Sequence, residues 1–114
     1  MTTTTAAAHA LAAVVQLAQA MTSPAGPPRI EAMRTAMPVL RTASEVLDRD
    51  FQEHPSRYPY QHAGLPLAAR TALKIGGRMR NSETAARSAG LVAEIAAQMR
   101  GTLGDGATTE ETAT

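Results

Sequence analysis

The segment HPSRYPYQHAGLP, residues 54–66, gathers the side chains best suited to acid–base or metal chemistry. It holds two of the three histidines and both tyrosines, and Asp50 lies four residues before His54. Asp50, His54 and His62 could supply oxygen and nitrogen ligands to a metal ion. However, His54 precedes a proline, which biases its backbone away from the helical geometry that would place it beside Asp50. We therefore predict no metal site, but a corner whose two tyrosines fold back onto the helix ends.

The other polar residues form no recognisable catalytic arrangement. No serine has a histidine at the spacing of a nucleophile motif, and the absence of cysteine removes thiolate chemistry. Three carboxylates crowd one helix end at Asp48, Asp50 and Glu53, but Arg49 lies among them. The glycine pair at 76–77 lacks the further glycine and the Lys-Ser/Thr pair of a phosphate-binding loop. We therefore predict no enzyme, no catalytic residue and no cofactor.

Basic side chains repeat at helical spacing in the third quarter of the chain. The predicted polyanion-binding residues are Arg70, Lys74, Arg78, Arg80 and Arg87. Like charges four residues apart destabilise an isolated helix, which invites a partner of opposite charge. DNA or RNA phosphates are one candidate, although the turn within residues 69–91 is too long for a helix-turn-helix motif. We favour the alternatives, which are solvation or pairing with the carboxylates at 48–53, in this chain or in another.

The composition predicts a hydrophobic core with few large side chains, which we call a thin core. The 114 residues leave room for one domain, in which aromatic residues make up 3% and 24 residues are alanine. Burying a large side chain contributes about 1.5–3 kcal/mol, and alanine contributes far less. We therefore expect a monomer of marginal stability that gains from oligomerisation.

Proline and glycine clusters divide the chain into four segments with helical periodicity. The clusters lie at 23–28, 54–66 and 76–81, and no segment alternates like a strand. The sequence predicts an all-α fold, a small four-helix bundle over 1–103, followed by a disordered acidic tail over 104–114.

The second segment has the most regular pattern. Apolar side chains recur at spacings of three and four, with one serine among them, at Ile30, Met33, Met37, Leu40, Ser44, Leu47 and Phe51. Pro38 lies inside this pattern and removes a backbone hydrogen bond. Because the heptad register continues across Pro38, we predict one helix that bends there.

Gly76 and Gly77 allow two alternatives for the end of the third helix. The helix ends near Ile75 with a glycine cap, or it continues and lets another helix approach closely over Ala68, Ala72 and Gly76. The fourth segment has clearer boundaries, with Asn81 or Ser82 as N-cap and an expected end at Gly101.

The first segment is unusual because residues 1–28 carry no charged side chain. Its apolar run, 6–21, is too short and too polar to span a membrane, and it lacks a basic leader, so we expect a cytoplasmic protein. A solvent-facing helix usually carries charges, so we expect this one to be covered by other helices or by another subunit. The predicted oligomer contacts are Leu11, Val14, Val15 and Met21.

Together these patterns predict a non-catalytic helical interaction or structural component. Its partner is a second copy of itself or another helical protein, with no membrane association. The competing prediction is a small nucleic-acid-binding regulator that uses the basic residues of the third helix.

Overall fold

The protein folds as an all-α bundle, as the sequence predicts. The computed structural model describes the backbone of residues 4–78 and 82–113 and the side chains of 4–78 and 85–104. Within these residues there is no strand, and the four packed helices are α1 (Thr5–Met21), α2 (Pro27–Glu53), α3 (Leu65–Arg78) and α4 (Ser82–Ala113). In the same part of the chain, no helix has the length and apolar content needed to cross a membrane.

Helix α1 packs against the other three helices. It begins at Thr4, whose hydroxyl oxygen accepts a hydrogen bond of 3.1 Å from the backbone N–H of Ala7 and so satisfies one free donor of the first turn. The buried residues of α1 are Ala7, Ala10, Ala13, Val14, Leu17, Ala20 and Met21. The inner side of the uncharged helix is therefore covered within the same chain.

Helix α2 is continuous across Pro38, as the uninterrupted heptad predicts. Two prolines occupy its first positions, after Gly26 at a φ of 93°. The heptad residues Leu40, Ser44 and Leu47 are buried, whereas Ile30 at the start of the helix is 55% exposed. A bend at Pro38 stays a prediction.

Helix α3 continues through both glycines to Arg78, so the second of the two alternatives is the correct one. Gly76 is buried where α3 meets α1 and α2. A Cβ atom at this position would lie 2.8 Å from Met37 Sδ and 3.0 Å from Leu17 Cδ2. Gly76 is therefore needed for the close approach of three helices and does not cap α3.

Helix α4 packs a narrow stripe against α1 and α3. Its buried residues fall at spacings of four and three and are Ala85, Ala89, Val92, Ala96, Met99 and Leu103. The helix passes the expected end at Gly101, and its backbone leaves helical geometry at Gly104, with φ 73° and ψ −174°. The bounds of α4 include a further helical stretch after this break, and disorder of the tail over 104–114 stays a prediction.

The core is as thin as the composition predicts. Among the described residues, 20 apolar residues are buried, and ten of these are alanine. The larger buried side chains include Leu17, Leu40, Leu47 and Leu65. The bundle therefore depends on close helix approach more than on large interior side chains.

A corner of two short 3₁₀ helices, Pro55–Arg57 and Tyr60–Gly64, joins α2 to α3. It forms from the proline-rich segment in which the sequence predicts a corner. The corner lies beside the start of α1, because Thr4 and Tyr58 line the same hollow. It therefore places polar side chains at one end of the surface that α1 and α2 share.

Candidate functional site

The outer sides of α1 and α2 form a groove of about 610 Å³ that we call the α1–α2 face. Its lining residues are Ala6, His9, Ala12, Ala13, Gln16, Pro38, Val39, Thr42, Ala43 and Val46. None of these ten side chains is charged while His9 is neutral. The face is therefore an apolar surface with a few uncharged hydrogen-bonding groups.

Helical spacing explains how the face arises. On α1 the exposed side of the helix carries His9, Ala12 and Gln16, which lie three and four residues apart. On α2 Val39 and Val46 lie seven residues apart, outside the heptad that faces the core, and are 43% and 45% exposed. Two uncharged stripes thus meet along the groove.

The structure places the four predicted oligomer contacts on the inner side of α1 or at its edge. Val14 and Met21 are 0% and 1% exposed because other helices of the same chain cover them. Leu11 and Val15 are partly buried against the core. Val14 and Met21 therefore have no free surface to offer a second chain.

Sequence reasoning missed the two exposed valines of the face. The signal was present, because Val39 and Val46 lie a heptad apart beside the core-facing positions of α2. Their pairing with the uncharged side of α1 depends on which helices are neighbours, and periodicity within one helix does not give that.

A polar hollow adjoins the groove where the corner meets α1. It is lined by Thr4, Thr5, Ala6, His9, Val46, Asp50, Ser56, Arg57, Tyr58 and Pro59, so it shares Ala6, His9 and Val46 with the groove. The Tyr58 hydroxyl donates a hydrogen bond of 2.5 Å to Asp50 Oδ2. Arg57 Nη1 donates one of 3.2 Å to Asp50 Oδ1. Both oxygens of the Asp50 carboxylate are therefore engaged inside the chain.

Tyr58 has a structural role at this position. Burial, together with the hydrogen bond to Asp50, raises the pKa of Tyr58 to about 12, so the phenol stays protonated near neutral pH. Its ring packs against Phe51 with 5.0 Å between the ring centroids. The prediction that Tyr58 folds back is confirmed. For Tyr60 the same prediction is wrong, because that side chain begins the second 3₁₀ helix and is 94% exposed.

The histidines of the corner do not meet in a metal site. His54 is exposed, whereas His62 is 6% exposed and its Nδ1 atom has no hydrogen-bond partner among the described residues. Burial lowers the pKa of His62 and so favours the neutral form of the ring. In the described part of the chain, no group of three histidine, aspartate or glutamate side chains could hold a metal ion.

The predicted basic stripe is exposed on α3. Arg70, Lys74 and Arg78 lie on its outer side, Arg87 is exposed on α4, and Arg80 lies outside the described residues. Arg70 Nε is 3.8 Å from Asp48 Oδ2 on α2. This long, exposed ion pair is weak. It joins the basic stripe to one of the carboxylates at 48–53, which are the predicted alternative to phosphates.

Comparison of the chain with protein-family models, with curated proteins and with solved structures finds no match. The functional conclusion therefore depends on the physical properties of the α1–α2 face and of the polar hollow and basic stripe.

Proposed function

We propose that this protein is a non-catalytic helical component that self-associates through the α1–α2 face. The observation that carries the proposal is the uncharged groove between two neighbouring helices, with Val39 and Val46 nearly half exposed. Contiguous exposed apolar surface on a small domain marks an interaction site. The polar groups at its edge, such as Gln16 and Thr42, can form hydrogen bonds at the rim of a contact.

A second copy of the chain is the occupant that fits this face. A two-fold contact sets one surface patch against the same patch of the partner, so each charge near the axis meets a like charge. The lining of the α1–α2 face contains no Asp, Glu, Lys or Arg side chain, so the face avoids this repulsion while His9 is neutral. The outer side of α3, with Arg70, Lys74 and Arg78, would repel its own copy.

The composition of the core supports the same partner. Half of the buried apolar residues described are alanine, so the isolated bundle gains little from each buried position. Covering Val39 and Val46 in both copies removes four larger apolar side chains from water. Self-association therefore adds the burial that a single chain of this composition lacks.

Sedimentation velocity at micromolar concentration tests the proposal. We expect the wild-type protein to sediment as a dimer. In Val46→Lys a charge enters the face and is buried in the contact without a counter-ion, so we expect the dissociation constant to rise at least about tenfold, which corresponds to about 1.4 kcal/mol.

Leu91→Lys is the matched control, because Leu91 on α4 is also 45% exposed and does not line the face. This variant should associate like the wild type. A wild-type protein that stays monomeric, or equal weakening by both lysines, would contradict the proposed contact.

The nucleic-acid-binding alternative depends on the basic stripe of α3. Arg70 already lies near Asp48 in the same chain, and Arg70 is the first residue of the stripe. No observation on the described residues adds a base-stacking aromatic ring or a deep groove to this stripe. Self-association is therefore the function that the geometry supports best.

A further inference from the structure

We propose that self-association is controlled by pH and that His9 is the switch. Neutral His9 permits the contact between two α1–α2 faces, and the charged imidazolium opposes it. This inference rests on the proposed function, because it concerns the same surface.

His9 is placed to act on the contact. It is the single titratable residue among the ten that line the groove, and it also lines the polar hollow next to the groove. Histidine is the side chain that ordinarily changes charge between about pH 5 and 8. A two-fold contact brings one His9 from each copy, so two charges appear in the interface when the pH falls.

The groups around His9 offer an imidazolium little compensation. Helix α1 contributes no other charged side chain. Helix α2 contributes Asp50 to the hollow, and the corner contributes Arg57 and Tyr58. The described residues of α3 and α4 line neither the groove nor the hollow.

Among the described residues that line the hollow, Asp50 is the one carboxylate, and its two oxygens already have partners. Arg57 binds Oδ1 at 3.2 Å and Tyr58 binds Oδ2 at 2.5 Å. The cluster is therefore close to neutral as a whole. An imidazolium closed into the interface loses water without gaining a free counter-ion.

The direction of the pH dependence follows from this cost. The free monomer binds a proton at His9 more readily than the dimer does, so dimerisation in acid requires protons to be released. The dimer should therefore have its lowest dissociation constant above the pH range in which imidazole titrates. Its dissociation constant should rise as the pH is lowered through that range. If each charged His9 raises the dissociation constant about tenfold, the two histidines of a dimer together raise it by up to about 100-fold.

Sedimentation equilibrium between about pH 8 and about pH 5 tests the switch. For the wild type we expect a dissociation constant at least about tenfold higher at the acidic end, within the limit set by two coupled histidines. His9→Gln keeps a polar, uncharged side chain and should bind equally at both ends of the range. His54→Gln is the control, because His54 is exposed in the corner and lines neither surface, and it should keep the wild-type pH dependence.

Because burial lowers the pKa of His62, acid also lowers the free energy of unfolding. Helicity is therefore followed by circular dichroism on the same samples. A loss of dimer at low pH that His9→Gln shares with the wild type would overturn the role of His9. If His9→Gln is monomeric at high pH, His9→Ala supplies the same comparison.

Two further results separate this inference from the proposed function. A wild-type dimer of unchanged affinity across the whole range overturns the switch and leaves self-association standing. A wild-type protein that is monomeric at about pH 8 overturns both.

Discussion

Tyr58 is the side chain that fastens the corner to the end of α2. Its hydroxyl group reaches Asp50 and its ring reaches Phe51, which lie eight and seven residues earlier in the chain. Tyr60, only two residues later, is almost fully exposed. Comparing variants of the two tyrosines therefore distinguishes the effect of a hydrogen-bonded phenol from that of a solvent-exposed one.

We expect Tyr58→Phe to lower the free energy of unfolding by about 1–3 kcal/mol, because it removes a hydrogen bond to a charged group and keeps the ring contact. Tyr60→Phe removes the same hydroxyl group from an exposed ring and should leave stability unchanged. Urea unfolding followed by circular dichroism measures both. Equal stability of the two variants would show that the bond to Asp50 contributes nothing.

The contribution of Tyr58 also has a defined pH range. Its pKa is about 12 in the folded chain and about 10 when unfolded. Because the folded value is the higher one, the added stability is complete below about pH 10 and is lost as the pH rises towards 12. The difference between wild type and Tyr58→Phe should shrink over the same range.

At the scale of helices, Gly76 shows how packing overrides local preference. A glycine inside a helix costs about 1 kcal/mol relative to alanine, which favours ending α3 there. Instead α3 continues to Arg78. Without a side chain at Gly76, Leu17 of α1 and Met37 of α2 can pack directly against the helix backbone.

Gly76→Ala and Gly77→Ala should therefore change stability in opposite directions. A Cβ at Gly76 meets Met37 Sδ at 2.8 Å and Leu17 Cδ2 at 3.0 Å, whereas at Gly77 the nearest atom is 3.8 Å away. We expect Gly77→Ala to stabilise by up to about 1 kcal/mol through helix propensity. Gly76→Ala should destabilise, since overpacking costs about 1–3 kcal/mol. Thermal unfolding compares them, and equal stabilisation by both would argue against the close approach.

The helices themselves were predictable from the sequence, because periodicity reports directly which side of a helix is buried. Leu40, Ser44 and Leu47 follow that rule. The end of α3 was not predictable, since it depends on side chains of two other helices that are distant in sequence. The same limit explains why Tyr58 and Tyr60 could not be told apart beforehand.

At the scale of the whole molecule, the lack of charge on α1 has two causes that sequence alone does not separate. Its inner side, with Val14 and Met21, covers the core of its own chain. Its outer side, with His9, Ala12 and Gln16, forms half of the α1–α2 face. The sequence indicated that α1 needs cover, but the assignment of residues to each side required the arrangement of all four helices.

Self-association of a bundle with an alanine-rich core has a consequence for folding. A dimer that forms only from folded chains stabilises them by mass action, so the unfolding midpoint depends on protein concentration. We expect the urea midpoint of the wild type to rise when the protein concentration increases about 100-fold, at which mass action contributes up to about 2.7 kcal/mol. Val46→Lys associates more weakly, so its midpoint should rise less over the same concentration range, and Leu91→Lys should follow the wild type. A wild-type midpoint that does not change with concentration would mean that the bundle is stable as a single chain despite its small interior side chains.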